Sequence, residues 1–382
     1  MKRLSRTFCL LVLSLVFSDI PALLADASQV TATPTPNNGR RPRTVTDSSG
    51  TVHLIYNQQG NIFYVKKRET DPAFSSPIQV NSIDRSGAVA DIAIGKDGTV
   101  HTLYHGNIFY IRNQIKAENR KLKSSDIKYT FYSRLKPGAT HFEEQRDLSQ
   151  NVWGFDGGCT IAADPSGHVY AFFAGTTQAG NETVRQVFLA RSTDNGSTFK
   201  SPSPIDLGKG VCACCHLKAD IDAKGTLHVV YRIAESSINR DSFVLSSSDH
   251  GQSFQPTPLD NWQLRACPGS AYSFAKTADE TFVSWRTENE IYLTGLGNHR
   301  PFSPPGKVSK RRAAILGYNL KGEVLVTWSE GENFNKPHDL KWQLYNAAGE
   351  AIGSPGIHKN AFKRWGNSAV YADSKGNFTI LY

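Results

Sequence analysis

The stretch Asp222-Ala-Lys-Gly225-Thr226-Leu-His228-Val-Val-Tyr231 decides the fold. Aspartate at the head of a turn accepts backbone N–H bonds, and a glycine three residues on supplies positive φ. A short apolar run ending in an aromatic then reads as a strand. Near copies occur at Asp47-Ser-Ser-Gly50 with Thr51-Val-His-Leu-Ile-Tyr56, and at Lys96-Asp97-Gly98 with Thr99-Val-His-Thr-Leu-Tyr104. The turn recurs at Asp164-Pro-Ser-Gly167, Asn319-Leu-Lys-Gly322 and Asp373-Ser-Lys-Gly376, and without its glycine at Thr277-Ala-Asp-Glu280. A third strand is legible at Asn61-Ile-Phe-Tyr64, Asn107-Ile-Phe-Tyr110, Gln186-Val-Phe-Leu189 and Ser242-Phe-Val-Leu245. Repeats of about 40–50 residues with four short strands each are the signature of propeller blades. The expected fold is therefore all-β, a β-propeller of seven blades, or six if one hairpin is accessory. The last repeat has room for only two strands before Tyr382, so the N-terminal segment is expected to add a strand there and close the ring.

Composition agrees. The 382 residues include 31 Gly, 14 Tyr and 20 Phe but a single Met, and no amphipathic helix of three turns stands out. Residues 1–27 read as a signal peptide: Lys2, Arg3 and Arg6, an apolar run from Phe8 to Phe17, then Ala25-Asp26-Ala27. The apolar run is too short to span a bilayer, and Cys9 is not placed as a lipid anchor. The product is expected to be secreted or periplasmic, with no membrane insertion after cleavage, where disulfides persist. Residues 28–43, with Thr-Pro-Thr-Pro and Arg40-Arg41-Pro42-Arg43, read as a flexible linker, and 44–382 as one propeller domain. The formal charge of +9 falls to about +8 once Lys2, Arg3, Arg6, Asp19 and Asp26 are removed. That is modest for the chain length, so nucleic acid is not an expected partner. A monomer is expected.

Ser192-Thr-Asp194-Asn-Gly196-Ser-Thr198-Phe199 and Ser247-Ser-Asp249-His-Gly251-Gln-Ser253-Phe254 resemble Asp-boxes, the turn motif of sialidase-type (BNR-repeat) propellers. Ser133-Arg-Leu-Lys-Pro-Gly138-Ala-Thr-His-Phe142 resembles a longer, decayed copy. The segment from Cys212 to Cys267 is also similar to exported bacterial proteins of that sialidase family. The resemblance implies a sialidase-type propeller over nearly the whole mature chain. In that family the boxes are structural, so they specify architecture rather than reaction.

Strands of a four-stranded blade alternate in direction. The turns between first and second strands therefore share one face with the Asp-boxes. The loops between second and third strands share the other with the crossings into the next blade. This second face surrounds the channel mouth, where propellers place ligands. It is expected to hold Trp153, Asp156, the Cys212-Ala-Cys214-Cys215-His216 run, Arg240-Asp241, Trp262, Arg265, Cys267, Tyr231-Arg232, Trp285-Arg286-Thr-Glu288, Lys310-Arg311-Arg312, Trp328-Ser-Glu330 and Arg364-Trp365. One reading is that aromatics and arginines simply cap strand ends. The other is a basic, aromatic-floored funnel for an acidic glycan or other anion, with Arg232, Arg240, Arg265, Arg286, Trp285 and Trp328 binding it.

The mature chain has five cysteines: Cys159, Cys212, Cys214, Cys215 and Cys267. An odd count leaves at least one thiol outside intrachain disulfides, and a vicinal Cys214–Cys215 bond would be strained. Two readings stay open. Cys212 or Cys214 pairs with Cys267 as a structural disulfide, or Cys212, Cys214, Cys215 and Cys267 form a thiolate metal site with His216 in reserve. Sulfur ligands favour zinc or copper(I).

The resemblance implies, for an exo-sialidase, three arginines on the substrate carboxylate, a tyrosine nucleophile raised by a glutamate, and an aspartate acid/base. The family's Phe/Tyr-Arg-Ile-Pro motif before the first blade is replaced here by Arg41-Pro42-Arg43, while Tyr231-Arg232-Ile233 lies mid-chain. Exo-sialidase chemistry is not expected. A glycoside hydrolase or glycan lyase could draw its acid and base from Asp156, Tyr231, Asp241 and Glu288. The competing class is a non-catalytic glycan- or protein-binding propeller.

Overall fold

A computed structural model describes residues 29–106, 113, 116–117, 130–153, 158–297, 300–306, 310–332, 335–364 and 366–382. The signal-peptide reading of 1–27, Asn107–Tyr110, Asp156 and Trp365 lie outside the described residues.

Seven sheets follow one another along the chain. Their innermost strands are Arg40–Thr46, Gly87–Ile94, Cys159–Ala163, Lys218–Ile221, Ser273–Lys276, Arg311–Tyr318 and Ala369–Ala372. Blades one to four and blade six have four strands, and blades five and seven have three. In blade five Phe302 bridges Leu293 where a fourth strand would run. The seven-bladed, all-β reading therefore holds.

Val30–Thr33 pairs in parallel with Phe378–Leu381 and closes the ring, and the Thr35 amide donates to the Tyr382 carbonyl at 2.8 Å. This corrects the reading of 28–43 as a flexible linker. The last hairpin leaves one edge unpaired, and the N-terminal segment supplies its missing hydrogen-bonding partner. From Arg40 onward the supposed linker is already the first strand of blade one.

The turns behave as their residue types require. Asp222 Oδ1 accepts from the Lys224 and Thr226 amides at 2.9 and 2.8 Å. In the first Asp-box, Asp194 Oδ1 accepts from the Thr198 amide at 2.9 Å and Oδ2 from its hydroxyl at 2.6 Å; Asp249 does the same with Ser253. Each box aromatic packs on the preceding blade, Phe199 on Tyr132 and Phe254 on Phe172. An arginine of that preceding blade reaches back, Arg134 to the Asn195 carbonyl at 2.5 Å and Arg191 to the His250 carbonyl at 2.7 Å. The boxes are inter-blade staples. The Asn195 amide also donates to the Gly167 carbonyl at 2.8 Å, which puts box and first turn on one face.

The core lies between blades. Tyr231 packs with Phe172, Val187 and Leu189 between blades three and four. Trp285 packs with Val230 and Phe274, and Trp328 with Ala275, Leu293 and Leu316. The innermost strands surround a cavity of about 760 Å³ that reaches the first turns at Asp47–Gly50 and Asp373. Ion pairs tie its walls together. Lys218 Nζ donates to both oxygens of buried Asp91 at 2.9 and 2.8 Å, Thr160 Oγ1 adds a third bond at 2.6 Å, and Lys276 Nζ donates to Asp220 at 3.0 Å.

Candidate functional site: a cationic, cysteine-bearing mouth

The face opposite the Asp-boxes brings the crossings into blades four, five and six together. Arg232 ends the second strand of blade four, Leu227–Arg232. Its side chain is fully buried. It donates to the Arg286 carbonyl at 2.6 Å and to the Arg240 carbonyl, and it meets Asp260 Oδ2 at 3.4 Å. The Trp262 ring lies under it, 4.9 Å from the guanidinium carbon. Burial opposes its charge, but Tyr272 and Asp260 outweigh that and hold it protonated. Arg232 is thus a brace between crossings, which corrects its reading as a ligand-binding arginine.

Arg240 is likewise engaged, by Glu182 Oε1 at 2.6 Å and by the Ser237 and Leu264 carbonyls at 3.1 and 3.2 Å. Trp285 and Trp328 are 2% and 1% exposed and belong to the inter-blade core, so they do not floor a funnel. Trp262 is also buried, at 8% exposure, with Arg232 4.9 Å and Arg286 6.0 Å from its ring. Tyr231 is fully buried, and its hydroxyl accepts from the Leu207 amide at 3.3 Å. It is a core residue rather than a nucleophile at the mouth. Neighbours along a strand point to opposite sides, so Tyr231 packs toward blade three while Arg232 turns toward Asp260 and the Arg286 carbonyl. Asp241 is half-buried and accepts from the Trp262 amide at 2.8 Å. Glu288 is exposed in the turn between Thr281–Thr287 and Glu290–Gly295, and Arg265 is exposed on the crossing into blade five.

The remaining cations define the site. Arg286 donates to the Pro268 carbonyl at 2.6 Å. Burial, then the charges of Arg312 and Arg232, push its pKa down to about 10. A guanidinium does not give up its proton under ordinary conditions, so the shift means that positive charge is disfavoured there and that negative charge would be welcome. On the blade-one side, Arg41 is exposed and Arg43 is half-buried against the central cavity; burial lowers both, and the charges of Arg40 and Arg43 lower Arg41 further. Their charges, added to burial and to His105, push His216 down to about 3, and His105 is itself lowered to about 4 by burial. Both imidazoles are neutral near pH 7. Sequence reasoning missed Arg41 and Arg43 by placing them in a tail. The signal available was the closing-strand expectation, which would have drawn them onto the ring.

Cys214 and Cys267 form a disulfide between the crossings into blades four and five. Cys212 Sγ lies 2.9 Å from Cys215 Sγ and 3.7 Å from Cys214 Sγ. Burial pushes the Cys215 thiol up, yet the hydrogen bond from Cys212, the Arg232 charge and Ser270 bring it down to about 7. Cys212 is pushed up, first by that contact with Cys215 and then by burial. Cys212, Cys214 and Cys215 put three sulfurs within reach of one ion. The disulfide occupies one of them, and Arg232 and Arg240 face the group with positive charge. His216 turns away toward Arg41, Arg43 and His105 and joins no sulfur cluster. Cys159 lies buried at the start of blade three, outside the disulfide.

No protein-family signature matches the sequence, and no curated protein matches it. Solved structures do. A protein of unknown function from Dyadobacter fermentans aligns with 77% of this chain and 90% of its own, at 13% identity and a TM-score of 0.50. The Hadza microbial sialidase Hz136 aligns over 86% and 70%, at 13% identity and a TM-score of 0.49. The intramolecular trans-sialidase from Ruminococcus gnavus aligns over 92% and 90%, at 12% identity and a TM-score of 0.42. Likeness at this level concerns the fold alone. The chain is a seven-bladed β-propeller with two Asp-box turns, a fold it shares with the Dyadobacter fermentans protein.

Proposed function

We propose that this protein is an exported propeller that recognises an acidic glycan at the mouth beside Arg286 and Arg312. The observation that carries the reading is the strain on Arg286. Burial, then the charges of Arg312 and Arg232, hold its charge down. Asp260 lies against Arg232 rather than relieving Arg286. A carboxylate or sulfate docked there would relieve the repulsion. Among the described residues no helix is long and apolar enough to cross a membrane. The reading is one of recognition. With Tyr231 in the core, Asp241 and Glu288 are the two expected acid/base residues that the described structure leaves outside the core.

Titration with sialylated, uronate-bearing and sulfated oligosaccharides, each beside its neutral counterpart, tests it. An acidic member should bind, and Arg286→Ala and Arg312→Ala should each weaken it by about 1.5–3 kcal/mol, the worth of one charge-assisted contact. Equal binding of neutral and acidic members, or unchanged affinity in both variants, would end the proposal.

A further inference from the structure

We propose that Cys212, Cys214, Cys215 and Cys267 form a thiol–disulfide exchange centre, in which one disulfide moves between an outer Cys214–Cys267 register and an inner Cys212–Cys215 register. Three observations carry it. The outer bond lies toward solvent, with Cys267 exposed and Cys214 half-buried. The inner pair is 0% and 2% exposed, behind that bond. The sulfur of Cys212 lies between the two, 3.7 Å from Cys214 and 2.9 Å from Cys215. Cys212 and Cys215 also have the Cys-x-x-Cys spacing that dithiol oxidoreductases use.

The exchange balances without an added oxidant. Cys212 passes its proton across the 2.9 Å contact to Cys215 and, as thiolate, attacks Cys214 Sγ. The Cys212–Cys214 bond forms as Cys214–Cys267 breaks, and Cys267 leaves with the electron pair. Cys215, as thiolate, then attacks Cys212 Sγ. The Cys212–Cys215 bond forms and Cys214 leaves as thiolate. The protons released by the inner pair are taken up by Cys214 and Cys267, so one disulfide and two thiols stand on each side. The outer dithiol can then reduce a low-molecular-weight disulfide of the glutathione class. Two external thiols are released as Cys214–Cys267 reforms, and the centre then holds both disulfides. The change reaches the mouth, because the segment after Cys267 supplies the Pro268 carbonyl to Arg286 and the Ser270 carbonyl to the His216 amide.

Disulfide mapping on unreduced, untagged protein tests it. The protein is equilibrated in reduced and oxidised glutathione, quenched with acid, alkylated in denaturant and cut with trypsin. Cleavage after Lys209, Lys218, Arg265 and Lys276 places Cys212, Cys214 and Cys215 on peptide 210–218 and Cys267 on peptide 266–276. The wild type should give two single-disulfide populations, beside a doubly bridged, unalkylated form where oxidised glutathione is in excess. One is a cross-link between the peptides. The other is an internally bridged 210–218 with one alkylated cysteine, beside a free, alkylated 266–276. Cys212→Ser should lose the bridged form and keep the cross-link. Cys267→Ser should carry the inner bond alone, and Cys215→Ser, which keeps the outer staple should that variant fail to fold, should stop at Cys212–Cys214. A cross-link alone at every glutathione ratio in the wild type would overturn the proposal. So would one zinc or copper ion per chain with all four cysteines reduced.

Discussion

Replacing Arg232 by alanine tests whether the most arginine-like part of the mouth is scaffold or receptor. The side chain has no solvent exposure, and the Asp260 carboxylate it meets is 8% exposed. The substitution removes the cation and leaves that carboxylate buried with its Ser242 and Thr287 donors only. It also strips a donor from the Arg240 and Arg286 carbonyls. Removing one member of a buried pair costs about 3–5 kcal/mol. At about 2.1 cal/mol/K per residue over about 350 folded residues, the unfolding entropy is about 0.7 kcal/mol/K. The midpoint of thermal unfolding should therefore fall by about 4–7 °C. Arg265→Ala, exposed on the crossing that carries Asp260, should stay within about 0.5 kcal/mol of wild type. Differential scanning calorimetry on the three proteins in one buffer decides. If Arg232→Ala melts within about 1 °C of wild type while glycan binding is lost, the brace assignment is wrong and Arg232 belongs to the ligand.

Two further outcomes follow from particular residues. Stability should fall as pH drops from about 6.5 to about 4. His101 and His105 are lowered to about 4, both chiefly by burial, so the unfolded chain binds protons that the folded one refuses and folding is weakened as pH falls through that window. Denaturant midpoints at a series of pH values read this directly, and a flat profile down to pH 4 would contradict it. Gly196→Ala should destabilise more than Gly225→Ala, although both glycines have positive φ. A Cβ at Gly196 would overlap the Tyr132 hydroxyl, whereas Gly225 has nothing within 4 Å and should cost only the backbone strain of about 1–2 kcal/mol. Equal midpoints for the two variants would mean that the Asp-box does not press on the preceding blade.

The repeat was legible because each blade must solve the same local problem. An Asp222-type turn needs an acceptor at its head and a glycine at its fourth position, and the strand after it needs alternation, so these constraints leave marks within ten residues. Ring closure by Val30–Thr33 was legible as a shortage, since the last hairpin had no third strand. The roles of the mouth arginines were not legible, because they are decided between loops far apart in sequence. Arg232 and Arg286 both end second strands beside an aromatic and read alike. They differ because Asp260, on the crossing between blades four and five, lies against Arg232 and not Arg286. The same holds for sulfur. Spacing showed that the three cysteines of Cys212–Cys215 could not all pair among themselves, but only the approach of two crossings determines that Cys214 meets Cys267. A sequence pattern reports what each blade needs for itself. The chemistry of this mouth arises where blades four, five and six and the blade-one arginines meet, and no single repeat encodes it.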